Sequence, residues 1–427
     1  MADPEVHSRI SSSEIQIRNE QNEEIIISEA QLNKVLSRHM EHHITYFENS
    51  KVLFMPYPIW TIRQFVTYVQ TDDLGLISIT HAFDLYHLSL RYELDHLRKK
   101  CRSFIIQKIN VNTVCLIHDF AREIGDMLIT YYCWQAFDEH EKRLFTTVDF
   151  KCCKIATIDR LLSRAIYEYV SELRLLRAVY QWSIHEVKRK LGADNFHLMN
   201  EESKRNAIRN VMEPFIGKVR FLVMNEDELQ SSVFKMNLLS EVEKSHIWHA
   251  FKYNYYSLYP SYFSRETKTR SRINYWNLFS YINRGDPSLV SIREMKGYIY
   301  FSSEVVVRED CFVTALRFPL KLSESFPMYV HAYINNLDNE QFPFDTVCNS
   351  EGVAELQTKY YLEKYWKIRF FAFFYLAENV EPDIEFSPEL SYFVSDEGTD
   401  ARKFEDKILI GDRNLMNNIY FLVDLYF

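Results

Sequence analysis

Glycine is scarce in this chain: nine occur among 427 residues, where an average usage of about 7% would give roughly thirty. That scarcity argues against glycine-rich phosphate loops and against collagen-like or flexible repeats. No internal repeat is evident, and the nucleotide loop G-x-x-x-x-G-K-S/T, the metalloprotease pair H-E-x-x-H and the nucleophile elbow G-x-S-x-G are all missing. Long apolar runs are missing too. The richest, Arg369-Phe-Phe-Ala-Phe-Phe-Tyr-Leu-Ala377, falls far short of the roughly 18 residues that cross a bilayer.

Basic charge is in deficit, with 50 Lys and Arg against 59 Asp and Glu and a net charge of −9. A nucleic-acid partner generally needs a basic face that displaces counterions from phosphates. The one basic cluster, Arg265-Glu-Thr-Lys-Thr-Arg-Ser-Arg272, holds an acid and reads as a solvated linker. C-x-x-C pairs do not occur, and the cysteines number seven. An odd number, with several in apolar helical runs, reads as buried free thiols in a reducing compartment. The stretch Met1-Ala-Asp-Pro-Glu-Val-His7 lacks the apolar core of a signal peptide. The expectation is a soluble cytoplasmic protein with no nucleic-acid or membrane partner and no cofactor.

What is present is ample core material, 47% hydrophobic and 15% aromatic residues, and too much chain for one ordinary domain. Periodicity marks three regions of an α+β protein. The first opens with alternating strands, Glu14–Ile17 and Glu24–Ile27, around a polar turn. Helical patterns follow, the clearest placing Ile62, Phe65, Val66 and Val69 at i, i+3, i+4 and i+7. The second region, from Asn110 to about Tyr255, is almost wholly helical, and its polar residues look like helix surface. Within it, Ser171 is an N-cap, Glu172 suits the dipole of the first turn, and Leu175, Ala178, Val179 and Trp182 make an apolar stripe. A helix over 241–255 carries Val242, Ile247 and Phe251. From about Lys296 the period becomes two, in short segments that fit an antiparallel sandwich. Its aromatic strands, Tyr298–Phe301 and Phe370–Tyr375, read as sandwich core, with any partner groove on loops of that domain.

Three groupings invite chemistry. His39, Glu41, His42 and His43 lie within one helical turn or so, but zinc needs three or four ligands of set geometry, and a polar helix end is the plainer reading. His81, His87 and His96 read as helix surface. Adjacent Cys152 and Cys153 carry no mark of a depressed thiol.

Residues 13–107 resemble a BTB (POZ) domain. Ser13-Glu-Ile-Gln-Ile17 is similar to the family's opening strand, Phe65-Val-Thr-Tyr-Val-Gln-Thr-Asp72 to its F-L-x-Y-I-Y-T segment, and Ala82–Leu97 to the closing pair of helices. Residues 108–255 resemble a BACK helical domain through Asp119–Arg122, Asp159–Ser163, Ala178–Trp182 and Arg220–Met224. A linker over 256–295 leads to residues 296–427, which resemble a PHR β-sandwich through Val307–Leu316 and Glu389–Phe393. The resemblance implies a non-catalytic adaptor that dimerises through BTB, holds a cullin and presents a protein substrate through the β-domain. It further implies Glu14, Ile15 and Ile17 at the dimer edge, and Tyr46, Phe47 and Glu48 as the hydrophobic-x-acid cullin contact. In the preceding helix the usual A-H-K reads Ala30-Gln-Leu32 and the phenylalanine-rich end reads His39-Met-Glu-His-His-Ile44; that histidine-rich departure suits a scaffold acting without ubiquitin transfer, the second reading.

Overall fold

The computed structural model describes residues 14–35, 44–47, 50–164, 167–236, 238–270, 278–279, 298–307, 310–317, 320–322, 328–335, 341–350, 352–363, 367–375, 384–386, 408–410 and 422–426. The chain is α+β and divides between Thr113 and Val114 into two compact units.

In the first unit the expected hairpin forms. Strands β1 (Glu14–Arg18) and β2 (Glu24–Ser28) pair antiparallel around a turn in which Asn22 takes φ 59°. Two further strands, β3 (Ile44–Phe47) and β4 (Ser50–Phe54), complete a sheet of order β2-β1-β4-β3, with β4 parallel to β1. Three helices follow, Ile59–Thr71, Ile79–Arg91 and Asp95–Gln107. The stripe Ile62, Phe65, Val66 and Val69 is buried as its spacing dictates, in a unit whose core also takes Ile15, Ile17, Leu53, Leu85 and Leu97.

The second unit begins with a helical block. Its longest helix, Glu172–Leu191, starts as expected: the Ser171 hydroxyl accepts from the Arg174 backbone N–H at 3.3 Å, and Gly192 at φ 88° ends it. Leu175, Ala178, Val179 and Trp182 are buried, and the Trp182 indole donates to the Cys153 carbonyl at 3.0 Å. The helix expected over 241–255 spans Glu241–Tyr253, with Ile247 buried. Val242 departs from the expected stripe and is 63% exposed.

The same unit carries the C-terminal strands: β5 (Leu278–Phe279), β6 (Tyr298–Val307), β7 (Cys311–Arg317), β8 (Leu320–Leu322), β9 (Met328–Asn335), β10 (Gln341–Cys348), β11 (Val353–Leu362), β12 (Lys367–Tyr375), β13 (Ile384–Phe386), β14 (Ile408–Ile410) and β15 (Leu422–Tyr426). Nine of them form one sheet of order β14-β6-β12-β9-β10-β11-β7-β15-β5, and β13 pairs with β8 apart from it. Every pairing in these two sheets is antiparallel.

The start of the segment read as a linker over 256–295 is docked, and so is Arg270 of the basic cluster read as solvated. Tyr259, Phe263 and Arg270 are buried, and the Phe263 ring lies 5.2 Å from that of Phe221. Among the described residues no helix is long and apolar enough to cross a membrane.

Candidate functional site

Helices and strands of the second unit meet along an aromatic seam. Phe312 of β7, fully buried, meets Trp134 edge-on at 5.1 Å, Tyr131 at 5.4 Å and Tyr361 of β11 at 5.2 Å. Such tilted geometry sets the positive ring edge against a negative ring face. Guanidinium groups close the seam. Those of Arg160 and Arg122 lie 5.0 and 5.5 Å from the Tyr361 ring centre. Arg160 also donates to Asp310 through Nη1 and to Glu363 Oε1 through Nη2 at 3.1 Å. The Arg160 and Asp310 side chains are only 15% and 9% exposed, so solvent screens this pair weakly. Burial pushes the Tyr361 phenol up, and its hydroxyl finds no partner among the described residues. The ring is held by packing and cations rather than by its oxygen.

Two polar centres lie inside the helical block. Glu172, read as a dipole-suited acid, is the hub of the first. It accepts from Arg270 Nε at 2.9 Å and from the Arg220 backbone N–H at 2.9 Å. Arg270 donates further to the carbonyls of Lys218, at 2.8 Å, and Arg164. In the second, Asp119 accepts from the Thr157 hydroxyl and from the Lys154 backbone N–H at 2.7 Å. With its hydroxyl proton committed to Asp119, Thr157 accepts from His118 Nδ1 at 2.7 Å, so His118 is the Nδ1–H tautomer and its Nε2, without a partner among the described residues, is a bare acceptor. This is a hydroxyl, imidazole and carboxylate in line, but His118 and Thr157 are fully buried and the hydroxyl points at the acid. It holds helices together. His118 and Asp119 thus correct the reading of this stretch's polar residues as helix surface.

Burial, with Arg122, Arg160 and Arg164 nearby, drives His118 down from 6.5 to about 3. The unfolded chain therefore binds a proton between those values that the fold refuses, and stability falls as pH drops through that window. Asp119, Asp149 and Glu141, all raised by burial, act with the opposite sign. The His118 contribution is therefore read by difference. From pH 7.5 to pH 5 the native chain should lose about 2 kcal/mol more than His118→Asn in urea unfolding. Equal losses would disprove a neutral buried imidazole.

The remaining expected sites are dispersed. Ile15 and Ile17 are 1% and 0% exposed, and β1 is flanked by β2 and β4. Glu14, Ile15 and Ile17, the expected dimer contacts, thus lie on a strand interior to the sheet, and among the described residues β2 and β3 end it. Tyr46 and Phe47 belong to β3, while Glu48 lies outside the described residues. His39, Glu41, His42 and His43 also lie outside them. Among the described residues no group of three or more His, Cys, Asp or Glu is arranged to hold a metal ion. His81, half-buried, stacks on Trp60 at 4.1 Å, and exposed His96 meets the Tyr68 hydroxyl at 2.8 Å. All seven cysteines are free thiols and only Cys152 is exposed. A hydrogen bond to Cys153, then burial, pushes the Cys115 thiol up; burial does the same to Cys101, Cys133, Cys153 and Cys348.

No protein-family profile matches the chain, and no curated protein matches it. The seam therefore carries the functional reading through its own residues. Arg122 and Arg160 come from two of the four stretches read as BACK-like, and Asp310 and Phe312 from one of the two read as PHR-like. Trp134, Tyr361 and Glu363, which complete the contact, lay in no such stretch and carry no local signal.

Proposed function

We propose that the chain is a non-catalytic adaptor. It dimerises through its BTB-like N-terminal unit, contacts a cullin-RING ubiquitin ligase through Tyr46, Phe47 and Glu48, and presents a protein substrate on its C-terminal strands, read as a PHR-like β-sandwich. The observation that carries this reading is the seam. An adaptor transfers geometry rather than electrons or protons, and it must hold its substrate-bearing strands at a fixed angle to its helical block. Phe312, Trp134, Tyr361 and Arg160 make that joint rigid, where relative motion would otherwise be the default between domains.

Affinity capture from cells should recover a cullin, and Tyr46→Ala with Glu48→Ala should lower the recovery about tenfold, the loss of a small hot spot. Full recovery by the double variant would remove the site assignment. Absence of any cullin would leave the second reading, a dimeric scaffold without ubiquitin transfer. The position of Tyr46 and Phe47 in a sheet-ending strand favours that reading, since the hydrophobic-x-acid motif follows a helix in the family resembled. Bound partners accumulate on proteasome inhibition only under the first.

A further inference from the structure

Residues 264–270, which include most of the basic cluster, form a loop tied down at both ends. On one side Tyr259 and Phe263 are buried, and the Tyr259 hydroxyl donates to the Ser264 carbonyl at 2.9 Å. On the other, Arg270 is sealed against Glu172, and its carbonyl accepts from the Tyr167 backbone N–H at 2.7 Å. Arg220 Nη1 adds a third tie, to the Lys268 carbonyl at 2.9 Å. Between the end ties, residues 265–269 are all exposed and lie outside any helix or strand. The loop is open to a partner without being slack, which lowers the ordering cost of binding it.

Three aliphatic hydroxyls lie on this loop, and they are not equivalent. Ser264 Oγ accepts from the Glu266 backbone N–H at 3.3 Å, and Thr269 is already engaged. Thr267 hydrogen-bonds no described residue, through its hydroxyl or its backbone, so its oxygen is free to act as a nucleophile. It stands between Arg265 and Lys268. Both cations are exposed, and neither makes an ion pair among the described residues. Glu266 is the only acid on the loop. In a chain of net charge −9, this is a local excess of cations around one free hydroxyl.

We propose that Thr267 is phosphorylated by a serine/threonine protein kinase with an acidic substrate cleft. The γ-phosphoryl group of ATP passes to Thr267 Oγ1 as its bond to the leaving ADP breaks, and the hydroxyl proton goes to the kinase's carboxylate base. Arg265 and Lys268 supply the charge that such a cleft reads. The phosphate adds about two negative charges to a loop where cations outnumber the one acid, so the sign of its surface charge reverses. The inference rests on the loop alone and stands whatever the N-terminal unit recruits.

The test incubates the full folded chain with γ-labelled ATP and the catalytic subunit of a cyclic-AMP-dependent protein kinase, which prefers basic substrates. A parallel reaction uses a casein kinase, which prefers acidic ones. The first should label the chain at Thr267, located by mass spectrometry of chymotryptic peptides, and the second should leave that residue unlabelled. Thr267→Ala should abolish the label while Thr269→Ala keeps it. Arg265→Glu, at an exposed position that leaves the circular dichroism unchanged, should slow labelling about tenfold or more. A folded chain that takes no label at Thr267, label that survives Thr267→Ala, or a rate indifferent to Arg265→Glu would each overturn the proposal. So would labelling that appears only after unfolding in urea, since the fold would then conceal the hydroxyl instead of presenting it.

Discussion

Replacing Arg270 by methionine is expected to lower stability toward urea by about 3–5 kcal/mol, the usual cost of stranding one member of a buried ion pair. The Arg270 and Glu172 side chains are 5% and 3% exposed, so water cannot take the place of the lost guanidinium. Methionine fills the volume but returns none of the four hydrogen bonds that Arg270 donates, two to Glu172 and one each to the carbonyls of Lys218 and Arg164. The Glu172 carboxylate would then keep only the Arg220 backbone N–H at 2.9 Å among these donors. Arg270→Met with Glu172→Gln should recover part of the loss, because the amide carries no charge to strand. If Arg270→Met is neutral, the segment leading to Arg270 is not docked and its original reading as a solvated linker returns.

That segment shows what local pattern conveys and what it does not. Ile62, Phe65, Val66 and Val69 were legible because helical period alone decides which face of a helix is buried. The Ser171 cap was legible because its partner lies three residues away. Arg270 was misread because its partner Glu172 stands 98 positions earlier, and a charge in a polar run looks alike whether water or a carboxylate receives it. His118 and Asp119 were taken for helix surface for the same reason: the Thr157 hydroxyl that satisfies both comes from another helix. The interior place of β1 is a matter of topology. A hairpin pattern names β2 as one neighbour of β1, while the parallel neighbour β4 is invisible without the fold. Val242 fits an apolar list but sits in the first turn of its helix, facing solvent. Strands β10 and β11 went unread, Pro343 and the polar run Glu355-Leu-Gln-Thr-Lys359 concealing their alternation.

The adaptor reading makes its largest demand on Phe312. Truncation to alanine removes a fully buried ring that touches Trp134, Tyr131 and Tyr361, and core Phe→Ala changes cost about 3–5 kcal/mol. The loss should fall on the joint between helices and strands. In the native chain, with Arg160 bridging to Asp310 and Glu363, helices and sheet should unfold together. With Phe312→Ala and Arg160→Met combined, that coupling is expected to fail. Two transitions should replace one in calorimetry, and amide exchange should rise first in β7, in β11 and along helix Met127–Glu139, while helix Glu201–Ile216 keeps its protection. Arg160→Met alone should shift the midpoint less, since the aromatic contacts persist. The two changes share Tyr361 as a neighbour, so their effects should exceed or fall short of a simple sum. One cooperative transition with an unmoved midpoint in the double variant would mean that the seam touches without coupling, and a joint that does not couple cannot set the angle at which a substrate is held.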